Sequence, residues 1–295
     1  MGRAIKSVEI LILVDGHVAM GTLLGEAGFS ALVDVIYDDE SKFRLLFDTG
    51  SDTPALQHNL GILEEDLDSI DILVLSHGHW DHVGGVMDVL AEVDKKIPVL
   101  CHPHALAQKI FVREDDTIPI GIQDFFEKDD LEKMTDLILS RDPYQISEGI
   151  WSTGEVPRTN EFEKLTGKLL DVVTEIEGET HPDKLLDDLS LVFQLKDENI
   201  VILAGCCHAG IVNTANHAST ITGSSSIVGI VGGLHLNNAS AERMKYTLDT
   251  LVGYPLTLVA PCHCTGLRGK AAFMNTFGDT FLHVGVGSKI TFPVS

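Results

Sequence analysis

A dense group of metal-binding residue types directly follows an apolar run in this sequence. Residues 70–75 read Ile-Asp-Ile-Leu-Val-Leu, and residues 76–82 read Ser-His-Gly-His-Trp-Asp-His. The apolar run predicts a buried strand, so the polar residues are expected on the loop where that strand ends. Imidazole and carboxylate are ligands suited to zinc and similar divalent ions, and a shared cation keeps neighbouring imidazoles neutral. The alternative, a polar turn that happens to be rich in histidine, does not explain this density next to a strand.

Three further apolar runs end in glycine or proline and then lead to a histidine. The runs and their histidines are residues 200–204 with His208, residues 227–231 with His235, and residues 256–260 with His263. In layered α/β folds, functional groups gather on loops at one edge of the sheet, so these histidines are expected near the first group. His102 and His104 also follow an apolar run, and we interpret them as structural.

Several motifs carry a resemblance to a known family. Residues 77–82 (His-Gly-His-Trp-Asp-His) match the H-x-H-x-D-H signature of the metallo-β-lactamase fold superfamily. Residues 45–50 (Leu-Leu-Phe-Asp-Thr-Gly) resemble the strand that ends in a buried aspartate, here Asp48. Residues 205–214, 232–236 and 261–266 are similar to one branch, which includes the archaeal dihydropterin–ribofuranosylaminobenzene 5′-phosphate synthase.

The resemblance implies an α/β (α+β) fold, the four-layer αβ/βα sandwich of the metallo-β-lactamase type. It also implies that His77 and His79 bind one metal, while Asp81 and His82 bind a second. The sequence departs from the family at one place, because the slot of the usual bridging aspartate holds Cys206. Cys206 either binds metal directly or supports a site into which His208 moves. His181 is the only upstream candidate for a separate third-motif histidine.

We therefore predict one or two divalent metal ions, zinc being favoured over Mg²⁺, Mn²⁺ and Fe²⁺. The predicted ligands are His77, His79, Asp81, His82, Cys206, His208 and His263.

The pattern along the chain predicts a single domain over residues 1–295. Strands alternate with helices in two halves, with helices expected at residues 81–93 and 241–252 and a late strand at residues 281–284. Residues 114–148 hold eleven acidic residues against three basic ones. We predict an acidic helical cap over residues about 105–165, with an ordinary solvated face as the alternative.

Composition excludes several classes of protein. The chain has 44 acidic and 21 basic residues among 295, a net charge of −23, which repels nucleic acid. No apolar run approaches the roughly 20 residues of a membrane span, and the start lacks the features of a signal peptide, so we expect a cytoplasmic protein with no membrane partner.

Five cysteines at these spacings do not suggest a disulfide framework. Cys101, Cys207 and Cys264 are expected to be buried as small apolar side chains.

The function expected from these observations is a metal-dependent enzyme acting on a small anionic metabolite, phosphorylated or of the pterin type. The resemblance implies hydrolysis by metal-activated hydroxide, or synthase chemistry in which an arylamine attacks a pterin diphosphate. Asp81 and His235 are the predicted catalytic residues, and Arg158 and His235 the predicted substrate contacts, because a guanidinium suits phosphate. Arg268 and Lys270 are further basic candidates, and a homo-oligomer is left open.

Two alternatives remain from the sequence. An iron-dependent redox enzyme is less favoured, because the iron branch of the superfamily generally has glutamate where this chain has His79. A metal-binding sensor without turnover is less favoured because a purely structural site would be expected to close its coordination sphere.

Overall fold

Strands made of aliphatic runs alternate with helices along the chain. The computed structural model describes residues 2–293, apart from the side chain of Thr53. The strands are β1 (Ile5–Val14), β2 (Ser30–Tyr37), β3 (Lys42–Phe47), β4 (Ile72–Val74), β5 (Pro98–Cys101), β6 (Gln108–Val112), β7 (Thr117–Pro119), β8 (Asp136–Leu139), β9 (Tyr144–Ser147), β10 (Ile150–Ser152), β11 (Val172–Ile176), β12 (Glu179–Pro182), β13 (Ser190–Gln194), β14 (Ile200–Ala204), β15 (Ile227–Gly233), β16 (Leu258–Cys262) and β17 (Lys289–Phe292). The α-helices are α1 (Thr53–Leu63), α2 (Trp80–Val83), α3 (Val86–Glu92), α4 (Lys128–Met134), α5 (Ile211–Thr222), α6 (Ala241–Leu251) and α7 (Gly266–Phe277).

Two large sheets pack face to face at the centre of the molecule. The first has the strand order β17-β1-β2-β3-β4-β5-β8, and the second has the order β16-β15-β14-β13-β10-β9. Their facing sides share fully buried rings, among them Phe29, Phe47, Phe193 and Phe292. Full burial of one such side chain stabilises the fold by about 1.5–3 kcal/mol, so this layer holds the two sheets together.

Helices cover the outer face of each sheet. On the first sheet, Leu56 of α1, Val89 of α3 and Leu131 of α4 pack on Leu73 and its neighbours. On the second sheet, residues of α5, α6 and α7 pack on β14 and β15. β14 reads Ile-Val-Ile-Leu-Ala and is buried throughout, as expected for a parallel strand covered on both faces. The layers therefore run helix, sheet, sheet, helix.

One edge of the molecule collects the ends of the parallel strands. β3, β4 and β5 are parallel neighbours in the first sheet, as are β14, β15 and β16 in the second. Just after β3, β14, β15 and β16, a non-glycine residue has positive φ: Asp48 (61°), Cys207 (56°), His235 (45°) and His263 (46°). Such a backbone costs of order 1–3 kcal/mol per residue, and clusters of it are typical of functional sites.

Most of the regular secondary structure in the segment predicted as a helical cap is β-strand. Between residues 105 and 165 the described α-helix is α4 alone, with seven residues. β8 extends the first sheet beside β5, β9 and β10 extend the second, and β6 and β7 join a small sheet with β11 and β12. The helical part of the prediction is wrong, because the apolar residues of 136–139 pack as an edge strand whose acidic neighbours face solvent.

Two other local predictions need correction. The helix predicted over residues 81–93 is split into α2 and α3 at Gly84 and Gly85. A Cβ on Gly84 would lie 2.1 Å from the carbonyl oxygen of Ser51, so the break lets the backbone approach the loop after β3. The strand predicted at residues 281–284 is only an isolated bridge at Phe281. Among the described helices, none combines the length and apolar character that crossing a membrane requires.

Candidate metal centre

Three imidazoles converge at the first part of the site. His77 Nε2 lies 3.0 Å from His79 Nδ1 and 3.3 Å from His208 Nε2. His77 and His79 follow β4, and His208 follows β14, so the two sheets contribute jointly. Three ring nitrogens at these separations repel one another unless a proton or a cation lies between them. These atoms could hold a metal ion.

A second group lies beside the first. Asp81 Oδ2 is 3.9 Å from His82 Nε2 and 3.6 Å from His263 Nε2. Burial opposes ionisation of Asp81, but the neighbouring His82 and His263 lower the pKa of its carboxyl. The group therefore presents one carboxylate and two imidazoles, again with ligand atoms close enough for one ion.

Cys206 lies between the two groups. Its Sγ is 3.3 Å from His82 Nε2, and its ligand atom also lies within 4.8 Å of those of His77, His208 and His263. The structure brings both residues left open by the sequence to the site: His208 joins the first group, and Cys206 adjoins both groups. Which of them takes the place of the bridging aspartate stays a prediction. His181 lies elsewhere, exposed on β12 and 3.7 Å from Glu179.

The donor set fits a divalent cation. Buried ring nitrogens of His79 (Nε2), His208 (Nδ1), His235 (Nδ1) and His263 (Nε2) have no hydrogen-bond partner among the described residues. Burial lowers the pKa of His79 to about 4, and it lowers the pKa of His77 and of His208 well below the usual value. Neutral imidazoles are the form that binds metal, and nitrogen, sulfur and carboxylate donors together suit zinc.

Asp48 orients the imidazole of His82. Its carboxylate accepts hydrogen bonds from Ser76 N (2.7 Å), Ser76 Oγ (2.6 Å) and His82 Nδ1 (2.7 Å). The contact with Nδ1 leaves Nε2 directed at Cys206 and Asp81. Burial opposes protonation of His82, but the carboxylates of Asp48 and Asp81 raise its pKa to about 9. A carboxylate behind a ligating histidine is a common support in metal sites.

We predict that Asp48→Asn weakens metal binding by about 10–100-fold, because a supporting carboxylate is lost without loss of a ligand. Asparagine tolerates the positive φ at this position, so the fold should persist. Competition with a coloured zinc chelator measures the change. Asp34→Asn is the control, because Asp34 pairs with Arg44 on a strand remote from the cluster. Equal affinity in both variants would contradict the role given to Asp48.

Comparisons with known proteins identify the family. The model of the metallo-beta-lactamase superfamily matches residues 26–202. The chain belongs to the metallo-beta-lactamase superfamily. It is 28% identical over 290 residues to the 7,8-dihydropterin-6-methyl-4-(beta-D-ribofuranosyl)-aminobenzene-5'-phosphate synthase of Methanocaldococcus jannaschii, with 98% of each chain covered. It is also 30% identical to an uncharacterized protein of that organism, covering 94% of this chain and 98% of that one.

A solved structure agrees with the superfamily assignment. A metal-dependent hydrolase of the beta-lactamase superfamily superposes with a TM-score of 0.78 and 26% identity, covering 96% of this chain and 98% of that chain. The predicted superfamily, its αβ/βα layers and the resemblance to the synthase branch are confirmed. Membership of this superfamily implies a site for divalent metal, which matches the donor groups described above.

Several residues outside the predicted ligand set support the superfamily motif. Asp187 accepts a hydrogen bond from Gly78 N (2.9 Å), in the middle of the motif, and pairs with the buried ammonium of Lys109 (3.0 Å). Lys109 also binds Asp183 at 2.7 Å. Asp15 accepts from His263 N at 2.7 Å, and Asp188 accepts from Ala209 N at 3.0 Å. The sequence feature that points to Asp187 and Asp188 is their position as a pair of carboxylates just before β13. For Asp15 it is the position of a carboxylate just after β1.

Arg158 and His235 occupy different surroundings. Arg158 donates to the carbonyl oxygens of Lys184 (2.7 Å) and Leu185 (3.2 Å), so two of its donors hold the loop that carries Asp187. It lines a cavity that none of the clustered histidines lines. His235 packs against His208, with ring centroids 4.4 Å apart, and so adjoins the metal centre. The structure thus brings His235 to the site and gives Arg158 a structural contact; substrate binding by Arg158 stays a prediction.

Proposed function

We propose that this chain is a divalent-metal enzyme, with zinc as its metal, that acts on a small phosphorylated metabolite of the pterin type. The observation that carries the proposal is the pair of donor groups adjoined by Cys206, one with three imidazoles and one with Asp81, His82 and His263. A site that served only to stabilise the fold would need one closed set of four ligands. Two adjoining groups beside a cavity instead suit chemistry on a bound molecule.

The cavity beside the second group offers one ammonium to an anionic substrate. It has a volume of about 380 Å³, and its lining includes Lys270, His17, His263, Cys264 and the carboxylates of Asp15 and Asp81. In a chain of net charge −23, Lys270 has no carboxylate within salt-bridge distance among residues 2–293. Its ammonium is therefore available to a phosphate or carboxylate of the substrate. Small anionic metabolites are the partners we propose.

The reaction proposed is the transfer suggested by the archaeal synthase. The amine nitrogen of a ribofuranosylaminobenzene phosphate forms a bond to the methylene carbon of a dihydropterin, the bond from that carbon to a diphosphate oxygen breaks, and the amine loses a proton. A bound divalent cation would supply charge neutralisation at the leaving diphosphate and acidification of water.

The chain's own residues have separate tasks in this reaction. His77, His79 and His208 would hold one cation, and His82, His263 and Cys206 the other. Asp81, at the border of the cavity, either completes the second group or accepts the proton of the attacking amine. His235, next to His208, would donate a proton to the leaving group or contact a substrate phosphate.

Hydrolysis of a phosphoester is the second candidate. It is favoured by the superposition on a metal-dependent hydrolase at 26% identity over nearly the whole chain. The same donor groups and cavity serve this reaction, with water in place of the arylamine. The iron-dependent redox alternative gains no support, because sulfur beside imidazole and one carboxylate is a donor set more typical of zinc.

The test combines metal analysis with a product assay. We expect elemental analysis of the purified protein to find zinc. We expect the zinc-loaded protein, given (7,8-dihydropterin-6-yl)methyl diphosphate and 4-(β-D-ribofuranosyl)aminobenzene 5′-phosphate, to release diphosphate and form the coupled product, detected by mass spectrometry. His208→Ala should abolish both zinc at the first group and product. Metal-loaded protein that turns over neither this pair nor a set of phosphoesters would contradict the proposal and favour a sensor.

A further inference from the structure

We propose that Cys264 joins Cys206 as a second sulfur ligand, which makes the position beside His263 selective for thiophilic metals such as zinc. This inference rests on the proposed metal centre and specifies which cation it takes. The sequence predicted Cys264 to be a small apolar side chain of the core. Its surroundings in the structure are different, and four observations assign it to the site.

The first observation is convergence. The ligand atoms of Cys206, His263 and Cys264 all lie within 4.8 Å of one another. Those of Asp81, His82 and His263 form an overlapping group with the same spacing. Because His263 belongs to both groups and Cys206 Sγ is 3.3 Å from His82 Nε2, the Cys264 sulfur lies next to the second group of ligand atoms.

The second observation is that Cys264 differs from the other four cysteines, all of which lie in the described part of the chain. Cys101, Cys206, Cys207 and Cys262 are buried, whereas Cys264 is partly exposed. It lines the same cavity as Asp81 and His263. Cys207, although next to Cys206 in sequence, instead directs its sulfur at Thr214 Oγ1, 3.3 Å away. Cys264 is thus placed where a ligand from the cavity can reach it.

The third observation concerns the main-chain groups and the space that surround the Cys264 sulfur. The main-chain N–H of His235 donates to Cys264 Sγ at 3.3 Å, a contact that stabilises negative charge on sulfur. A Cβ on Gly233 would lie 2.1 Å from the carbonyl oxygen of Gly205 and 2.9 Å from the same sulfur, so glycine at that position leaves space for both. The sulfur is 3.5 Å from the carbonyl oxygen of Cys206, to which the thiol donates. A metal ion would take the place of that proton.

The fourth observation concerns charge. Two divalent cations bring four positive charges, while Asp81 and Cys206 would supply only two negative ones. A second thiolate, from Cys264, would raise the number of negative charges on the ligands to three without another carboxylate. Sulfur ligands favour zinc, cobalt and cadmium, whereas Mg²⁺ and Mn²⁺ prefer oxygen donors. The Cys206–Cys264 pair therefore replaces the oxygen bridge of the superfamily with a site that discriminates against those two ions.

Cobalt substitution tests the inference without relying on turnover. Bound Co²⁺ gives a sulfur-to-metal charge-transfer band in the near ultraviolet for each Co–S bond, and visible bands that report the remaining geometry. The probe is Co²⁺ alone, added to the metal-free full chain and to Cys206→Ser, Cys264→Ser, the double variant and Cys207→Ser. We expect each single variant at 206 or 264 to keep part of the ultraviolet band and the double variant to lose it. Cys207→Ser should match the natural chain.

The outcomes separate this inference from the proposed function. A natural chain that binds no Co²⁺ would contradict the metal centre itself. A chain that binds Co²⁺ but shows the full ultraviolet band in Cys264→Ser, or none in Cys206→Ser, would contradict only the second sulfur ligand. Retention of the visible bands from the imidazole group and of the circular dichroism spectrum shows that each variant is folded. We also expect excess Mn²⁺ to compete with zinc more effectively in the double variant than in the natural chain.

Discussion

His79→Ala is expected to reduce turnover by more than about 100-fold and to release the metal of the first group, while the chain stays folded. His79 Nδ1 lies 3.0 Å from His77 Nε2, and its other ring nitrogen has no hydrogen-bond partner among the described residues. Its contacts are therefore directed at the cluster and not at the surrounding fold. Elemental analysis after dialysis measures the metal, and circular dichroism during heating measures the fold.

The matched control for this variant is His181→Ala. His181 was the only upstream histidine that the sequence offered for the third ligand, yet it lies exposed on β12 beside Glu179. We expect the control to keep full metal content and turnover, whereas His208→Ala should behave as His79→Ala does. A His79→Ala protein that kept both metal and turnover would contradict the assignment of the first group.

The predicted ligands could be read from the sequence because each follows an apolar run. Where a buried strand ends in glycine or proline and a polar residue follows, that polar side chain lies at the edge of the sheet, whatever the rest of the fold is. The structure brings all seven predicted ligand residues into the groups described above. Their binding of metal stays a proposal, but their convergence is a property of the fold. The layered arrangement followed from the resemblance, whereas the order of the strands, which decides which loops meet, was not predicted from the sequence.

The supporting residues could not be predicted in the same way. Lys109 contacts Asp183 and Asp187 across 74 and 78 residues of sequence, and no local pattern links them. Cys264 acquires its surroundings from the main chain of His235 and from the space left by Gly233. Contacts of this kind depend on how closely backbone segments approach each other in three dimensions. The periodicity of side chains in the sequence carries no information about that approach.

The helical cap failed for a different reason. The acidic residues of 114–148 fit any solvated surface, and the apolar residues between them fit a helix or an edge strand equally well. Pairing with β5 decides the matter for residues 136–139, because the open edge of the first sheet offers hydrogen bonds to that segment. Tertiary context overrode a weak local preference.

Lys109→Met is expected to lower the free energy of unfolding by about 3–5 kcal/mol at pH 7, because it leaves two carboxylates buried without their cation. The Lys109 side chain is fully buried, with Nζ 2.7 Å from Asp183 and 3.0 Å from Asp187. Methionine keeps the apolar part of the lysine side chain, so the loss of stability measures the effect of the missing charge and not that of a cavity. Since Asp187 accepts from Gly78 N, we also expect weaker metal binding at the adjoining histidines.

The pH dependence of this variant identifies the cause. In the natural chain burial opposes ionisation of Asp187, but Lys109 and the Gly78 amide hold the pKa of its carboxyl well below the usual range. That contribution is present above the ordinary carboxyl pKa of about 4 and is lost as pH falls below it. Without Lys109, burial dominates and raises the pKa of the Asp187 carboxyl. On acidification this carboxyl becomes protonated, which removes the cost of the unpaired buried charge in the variant. The stability difference between the two chains should therefore shrink as pH falls.

Urea unfolding at neutral and mildly acidic pH, with excess chelator so that metal release does not contribute, measures both effects. Lys133→Met is the control, because Lys133 pairs with Asp130 on an exposed face of α4 and its loss should leave the unfolding midpoint unchanged. A Lys109→Met chain as stable as the natural one at pH 7, or one whose deficit stays constant with pH, would refute the buried charge network. The motif loop would then owe its position to packing alone, since the backbone of Gly78 sits against Ala105, whose carbonyl oxygen would be 2.2 Å from an added Cβ.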